Sequence, residues 1–572
     1  MSEANTSPFA GVVAAVDFYS FENKSINLLA SAGASQVLSL SVTNTLLSGG
    51  GGFSMTLAPG GPSGIAGVQY SEIIKPMALC VIALGRGANQ AVCHVGLVNT
   101  ISEEQTWGDN VTRTITVSGY DLASYYLYQF NFASLAFLAG NVAAGASSGL
   151  VGNASSGPLL NAGLPGYISP AQFAERFWLG VMLVSGGLLG RTVVPYQGTR
   201  YPLSQVITAR FDEFNAAETL PYADAYYSTD GPFIDKFTEA LAFPVYENFC
   251  TTAPEGMFAQ PQANAGYFIP GMQFTSTLLP YATPAGPCFI NRLNPQPNVT
   301  LTSTAPFSGQ AAVSTVSQSN PLPPYIFSGV DYSQWIPLTT FKLANYGFID
   351  SQITFSPNNN YNFYMLNSLG LTAYWANQNS NVNPIQLYDF SMLCDIGSVQ
   401  RFGYLPFSLW NGWYCNFDPN NQPGLSNDAF ETLVALVMMR CASYFEVLPY
   451  CGNASVTCEL RPDIVPGNLF EWAPYRSSID TWTAYINTVT HTYTFGGPST
   501  TTLTLERALP SSVYADAPLL LAIMTGNAQV VNGVFTSGLP DGIGPGLVGY
   551  SVANQTQLQS LIAAAYLQSQ YK

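Results

Sequence analysis

The residues able to do chemistry are few in this sequence, and their spacing limits what they can do. Two histidines are present, His94 and His491, at opposite ends of the chain. Each sits inside a run of alternating apolar and polar residues, where histidine is ordinarily structural, so a Ser/His/Asp or Cys/His constellation has few candidates. Nine cysteines, at positions 80, 93, 250, 288, 394, 415, 441, 451 and 458, contain no C-x-x-C pair and no Cys/His spacing suited to a metal. They read as reduced structural thiols, although Cys441, Cys451 and Cys458 stand close enough in sequence to form one bridge. The 33 acidic residues could supply a carboxylate pair for glycoside hydrolysis. No separate compact block looks like a domain built for that. A phosphate-cradling G-x-x-x-x-G-K-[ST], an H-E-x-x-H and a strand-linked G-x-G-x-x-G are all missing, and the glycines at 49–52 lack the following lysine and helix, so they read as a turn. The expectation is a protein that is not an enzyme, with no catalytic, cofactor-binding or metal site.

Composition points the same way. Charged residues make up 9% of the 572 residues and aromatic ones 13%, with 51 Gly and 39 Pro. A chain so poor in charge and rich in Tyr, Phe, Thr and Gly hides its weakly solvated surface most readily in sheets and against partner subunits. The length exceeds one compact core and implies several domains. A net charge of −16 and the lack of any basic run argue against a surface that holds nucleic acid. Two readings of the acidity stay open: a solubility feature, or a negative channel wall that DNA passes without sticking. Acids at Glu103, Glu104, Asp109, Asp463 and Glu471 are the candidates for such a wall.

Residues 1–10 show no basic stretch leading into an apolar run, so no secretory signal is read and synthesis is expected to end in the cytoplasm. The apolar stretch 177–189 lies between Arg176 and Arg191, too short to span a bilayer, and the uncharged stretch 122–174 is broken by Gly, Asn, Ser and Pro. Membrane insertion is not expected.

The elements that would position all these residues are mostly strands. Leu38, Leu40 and Val42 alternate with Ser39, Ser41 and Thr43, and Phe53, Met55 and Leu57 alternate with Ser54 and Thr56 across the glycine loop, which predicts a hairpin. Strands at 79–84, 92–98 and 111–118 complete a small antiparallel barrel or sandwich. A comparable block follows near the end, with strands at 456–460, 485–494 and 500–505. Ile74-Lys75-Pro76-Met77-Ala78-Leu79 matches Ile464-Val465-Pro466-Gly467-Asn468-Leu469 as I-x-P-x-x-L, and the interval from Ile101 to Ile115 equals that from Val489 to Leu503. Ordered, evenly spaced strand starts predict an internal duplication of one barrel over about 25–120 and 445–510. Between the blocks, 121–195 reads as apolar and helical with a cap at Ser169-Pro170, and 255–425 reads as β-rich. Ser426-Asn427-Asp428 caps a helix over 429–445, and a terminal helix is expected over 555–571.

These segments resemble, in order, the baseplate hub or tail hub family of tailed phages and related injection machines. The resemblance rests on 41–57, on Ile74-Lys75-Pro76-Met77, on Gly96-Leu97-Val98-Asn99 and on 113–122 for a first barrel. It continues through 353–363 and 400–404 for a middle region, and through 465–468, 489–493 and 500–507 for a second barrel. The stretches 122–174, 285–330 and the C-terminal segment depart from the pattern. The resemblance implies a mainly β fold (β-rich α+β) with two similar small antiparallel β-barrels that form a pseudo-hexameric ring as a homotrimer, with inserted helical and β-rich domains. The implied division is a first tube-like barrel (1–120), an apolar helical insert (121–240), a β-rich middle domain (241–425), a helix plus second barrel (426–510) and a C-terminal extension (511–572). It also implies a trimeric adaptor in the virion tail, joining the hexameric tail tube protein to the trimeric central spike protein. Other baseplate proteins and the tape measure protein would be neighbours, and DNA would be present only in passage. The alternatives are a peripheral receptor- or glycan-binding tail protein, suggested by the Tyr, Trp and Asn residues between Tyr325 and Phe417, and a tail-associated cell-wall hydrolase.

Overall fold

The computed structural model describes residues 11–121, 340–363, 402–407 and 445–511, apart from short segments within each, and elsewhere only scattered residues and the backbone of short strands. The predicted helices over 121–195, 429–445 and 555–571 lie outside the described residues, except for single positions. So does most of the β-rich stretch.

The protein is mainly β, and its described core is one curled 13-stranded sheet. Seven strands come from the first block: β1 (Val12–Tyr19), β2 (Leu28–Ala32), β3 (Val37–Thr45), β4 (Gly52–Leu57), β5 (Leu79–Arg86), β6 (Asn89–Thr106) and β7 (Thr112–Asp121). Six more follow: β8 (Thr340–Lys342), β9 (Phe348–Phe355), β10 (Gly452–Glu459), β11 (Leu469–Trp472), β12 (Trp482–Thr494) and β13 (Thr500–Pro510). A short helix, α1 (Tyr70–Ile73), precedes β5.

The two groups repeat one plan. In the first, neighbouring strands run β1-β5-β6-β7-β4-β3; in the second they run β8-β11-β12-β13-β10-β9. Taken in chain order, each strand of the first group therefore has its counterpart at the same place in the second. β2, on the far side of β1, has none. Every corresponding pair is antiparallel except the last, where β1 meets β5 antiparallel but β8 meets β11 parallel. The predicted duplication thus shows as a shared strand order, and the second copy draws β8 and β9 from well upstream of residue 445.

Local irregularities repeat as well. A bulge falls between Val98 and Thr100 of β6, and another between Ile486 and Thr488 of β12. A second matched pair falls between Val37 and Ser39 of β3 and between Phe348 and Asp350 of β9. The I-x-P-x-x-L turns are also equivalent: the Met77 amide donates to the Val98 carbonyl at 2.7 Å and the Gly467 amide to that of Ile486 at 2.9 Å. Both turn residues are left-handed, at φ 69° and 81°. One sequence match shifts. Ile101 pairs with Val117, whereas Val489 pairs with Leu503, so the true counterpart of Leu503 is Val117 and not Ile115. From Val489 to its partner Leu503 the β12–β13 hairpin is shorter than β6–β7 is from Ile101 to Val117, and equal spacing in sequence hides that change of register.

Each block has its own apolar core. Val16, Phe18, Val42, Met55, Ile82, Leu84 and Val117 pack in the first. Val456, Phe470, Trp472, Ile486, Val489, Leu503 and Leu505 pack in the second. Alternation along β10 buries Ala454, Val456 and Cys458 and leaves Asn453 and Ser455 outside, as a sheet with one covered face requires. In contrast β1, with the sequence VVAAVDFY, is buried on both faces over its last six residues and carries no alternation to read.

Candidate functional site

The feature that stands out is where the two blocks join. β12 is long enough to serve two neighbours along one edge: Trp482 to Tyr485 pair with β11, and Thr488 to Thr494 pair antiparallel with β3 of the first block. The other edge of β12 pairs with β13. Backbone bonds close both ends of the seam, from the Leu46 amide to the Asn487 carbonyl (3.0 Å) and from the Phe495 amide to the Leu38 carbonyl (2.9 Å).

Side chains reinforce the register. Thr45 and Thr488 hydroxyls meet at 2.8 Å, and those of Thr43 and Thr490 at 3.3 Å. Such contacts form at the narrow, non-hydrogen-bonded pairs of an antiparallel ladder, where side chains stand closest. Tyr493 of β12 and Leu460 both pack into the first block's core, so the seam is apolar on one face. Arg86 of β5 bridges to Glu459 of β10 at 2.7 Å, a partly exposed ion pair that adds a modest tie between blocks.

Two other edges are not so occupied. β6 pairs with β5 only as far as Leu97, and the same edge from Thr100 to Thr106 has no strand partner among the described residues. Among the described residues β9 ends the sheet and pairs with β10 alone. Trp107, Ile349 and Phe355, three of the most exposed large apolar side chains, lie on or beside these edges at 77%, 44% and 57% exposure.

The residues singled out for chemistry are scattered and closed off. His94 is fully buried against the edge of Phe53, and neither ring nitrogen has a hydrogen-bond partner. Burial lowers its pKa to about 3, so it stays neutral. His491 is buried in the other block, its Nδ1 2.9 Å from the Thr501 hydroxyl, and desolvation lowers it to about 4. Neither ring reaches solvent where a substrate could meet it. Cys80, Cys93, Cys451 and Cys458 are buried free thiols, with burial pushing the last three up to about 12. Cys441 lies outside the described residues. Among the described residues no group of three His, Cys, Asp or Glu side chains is placed to hold a metal, and no helix is long and apolar enough to cross a membrane.

The candidate wall acids are mostly matched by cations. Glu103 pairs with Arg113 and accepts from the Ser71 hydroxyl, Asp463 pairs with Arg461 at 2.6 Å, and Glu471 with Lys342 at 3.1 Å. Glu104 is exposed on β6, and Asp109 lies outside the described residues. Arg507 escaped notice in the sequence. It is buried with φ 56°, stacks over Tyr485 at 4.2 Å and pairs with Glu506 at 2.6 Å, which fixes the end of β13.

The sequence matches no protein-family model and no curated protein. By structure, the chain is similar to a tail protein from Neisseria meningitidis, at 8% identity and TM-score 0.38, over 88% of this chain and 99% of that one. It is similar to the 43 kDa tail protein of prophage MuSo2 from Shewanella oneidensis, at 9% identity and TM-score 0.35, over 88% and 99%. It is also similar to the E. coli c3393 protein, a component of the type VI secretion system, at 9% identity and TM-score 0.32, over 85% and 76%. At these scores no residue or role passes from those proteins to this chain.

Proposed function

We propose that this chain is a structural hub of a phage or phage-like tail, a homotrimer whose three copies set six related half-barrels around a channel. In that place it joins a hexameric tail tube to a trimeric central spike. The observation that carries the reading is the β3–β12 seam. It joins two different edges of two equivalent blocks, so it is a head-to-tail contact, and repeating such a contact closes a ring when the rotation allows. A chain with two equivalent blocks presents twice as many units as copies, which is what an adaptor between six-fold and three-fold partners needs. Other baseplate proteins and the tape measure protein would be its further neighbours, in a virion tail assembled in the host cytoplasm. DNA would only pass through, and the net charge of −16 supports passage without retention. Burial of both histidines favours a structural role over catalysis. Native mass spectrometry of the purified chain tests this. A species of three 61.3 kDa chains is expected, and a strictly monomeric or hexameric protein would overturn it.

A further inference from the structure

The matched bulges make the two edges that have no strand partner among the described residues counterparts of the two edges already joined. Val98 to Thr100 takes the place of Ile486 to Thr488, so Thr100 to Thr106 of β6 corresponds to Thr488 to Thr494 of β12. Val37 to Ser39 takes the place of Phe348 to Asp350, so β9 corresponds to β3. Resting on the ring reading above, we infer that β9 of one copy pairs antiparallel with residues 100–106 of β6 in a second copy, with Ser102 opposite Thr354. The seam inside the chain is then repeated between chains.

The register follows from the internal one and makes chemical sense. Thr490 faces Thr43 and Thr488 faces Thr45 within the chain. Carried over, Ser102 faces Thr354 and Thr100 faces Ser356, so both close pairs again oppose two hydroxyls. Ile101 falls opposite Phe355, which covers a ring now 57% exposed. The Phe495 amide bonds the Leu38 carbonyl within the chain. Trp107, the counterpart of Phe495, would bond Ile349 in the same way and bring two exposed apolar side chains together. Glu103 faces Ile353, Glu104 faces Gln352 and Asp350 faces Thr106, so no two like charges are directly opposed. β9 also carries no Lys or Pro, the residues that commonly blunt an edge against pairing. These features favour a second copy over an unrelated strand, because a matched register across seven positions is specific to the duplicated unit.

The full chain carrying Ser102→Cys and Thr354→Cys tests the register. Paired Cα atoms at a non-hydrogen-bonded position stand close enough for a disulfide. Mild oxidation should link chains to one another, with at least about tenfold more product than Ser102→Cys with Gln352→Cys, which is two residues out of register. Either single cysteine alone should give no such link. A trimer by mass that links no better at 102/354 than at 102/352 would overturn this interface and leave the hub reading standing. A strictly monomeric chain would overturn the hub reading itself, and this interface with it.

Discussion

The second half of β12 and the corresponding part of β6 are the same element in two situations. In β12, His491 and Tyr493 are 0% and 2% exposed because β3 lies alongside and the first block's core lies beneath. Their counterparts in β6, Glu103 and Gln105, are exposed. The backbone plan is unchanged, down to the bulge at Asn99 and Asn487, yet the side chains have diverged with their surroundings. A duplicated strand therefore keeps what its own block demands, while its outer edge adapts to whatever covers it. Charged and amide side chains on β6 suit an edge that meets water before assembly, whereas a carboxylate in place of His491 would be a charge buried with a neutral hydroxyl, that of Thr501, beside it.

Proline at the two equivalent positions gives the sharpest test of that difference. By the internal register the amides of His491 and Glu103 both point to the outer edge, but among the described residues only the former has a strand there. His491→Pro should remove a ladder hydrogen bond to β3 at a buried position and prevent folding, read by circular dichroism. Glu103→Pro should leave the isolated chain folded and abolish assembly, since proline is tolerated where a strand edge faces solvent. Equal damage from both would mean that β6 has a partner along that edge within the chain.

A smaller effect is read by pH and is shared by the two blocks, since His491 is lowered to about 4 as His94 is to about 3. The pKa of His94 falls from 6.5 to about 3 on folding, so the unfolded chain binds more protons between those values and stability rises with pH across that window. Between pH 6.5 and 5 the change is about 2 kcal/mol from this residue. Asp17, raised from 3.8 to about 6 chiefly by burial, acts in the opposite sense, favouring the folded state as pH falls toward 3.8. His94→Leu should make the acid side of a urea-denaturation pH profile shallower, with the remaining slope carried by His491. An unchanged slope would place the titration elsewhere.

The least effect concerns the turns before β5 and β11. Met77 holds a left-handed φ of 69° that glycine adopts without strain, and its counterpart is Gly467. Met77→Gly should stabilise the chain by about 1 kcal/mol and Gly467→Ala should destabilise it by a similar amount, read as opposite shifts in Tm. A loss from both would show that the two turns are not equivalent in the way their shared hydrogen bonds imply.

Much of this was legible in the sequence wherever a strand has one wet and one dry face. β3, β4, β10, β12 and β13 all alternate, and I-x-P-x-x-L marked the starts of β5 and β11. Strands without that contrast were not legible: β1 is apolar on both faces, and β8 is only three residues long. β9 alternates weakly because much of it is exposed, and its partner β10 lies far along the chain. Burial of both histidines followed from their place in alternating runs, but the loss of every hydrogen-bond partner at His94 did not.

The sequence by itself determined the mainly β character and the repeated unit, because alternation and residue type are local properties. Tertiary structure alone decided that the two units share one sheet, that β12 gives half an edge to β3, and that the equivalent half-edge of β6 has no strand partner among the described residues. Pairing between distant strands depends on which backbone edges remain unsatisfied once the nearer ones are joined, and that is a property of the folded chain as a whole.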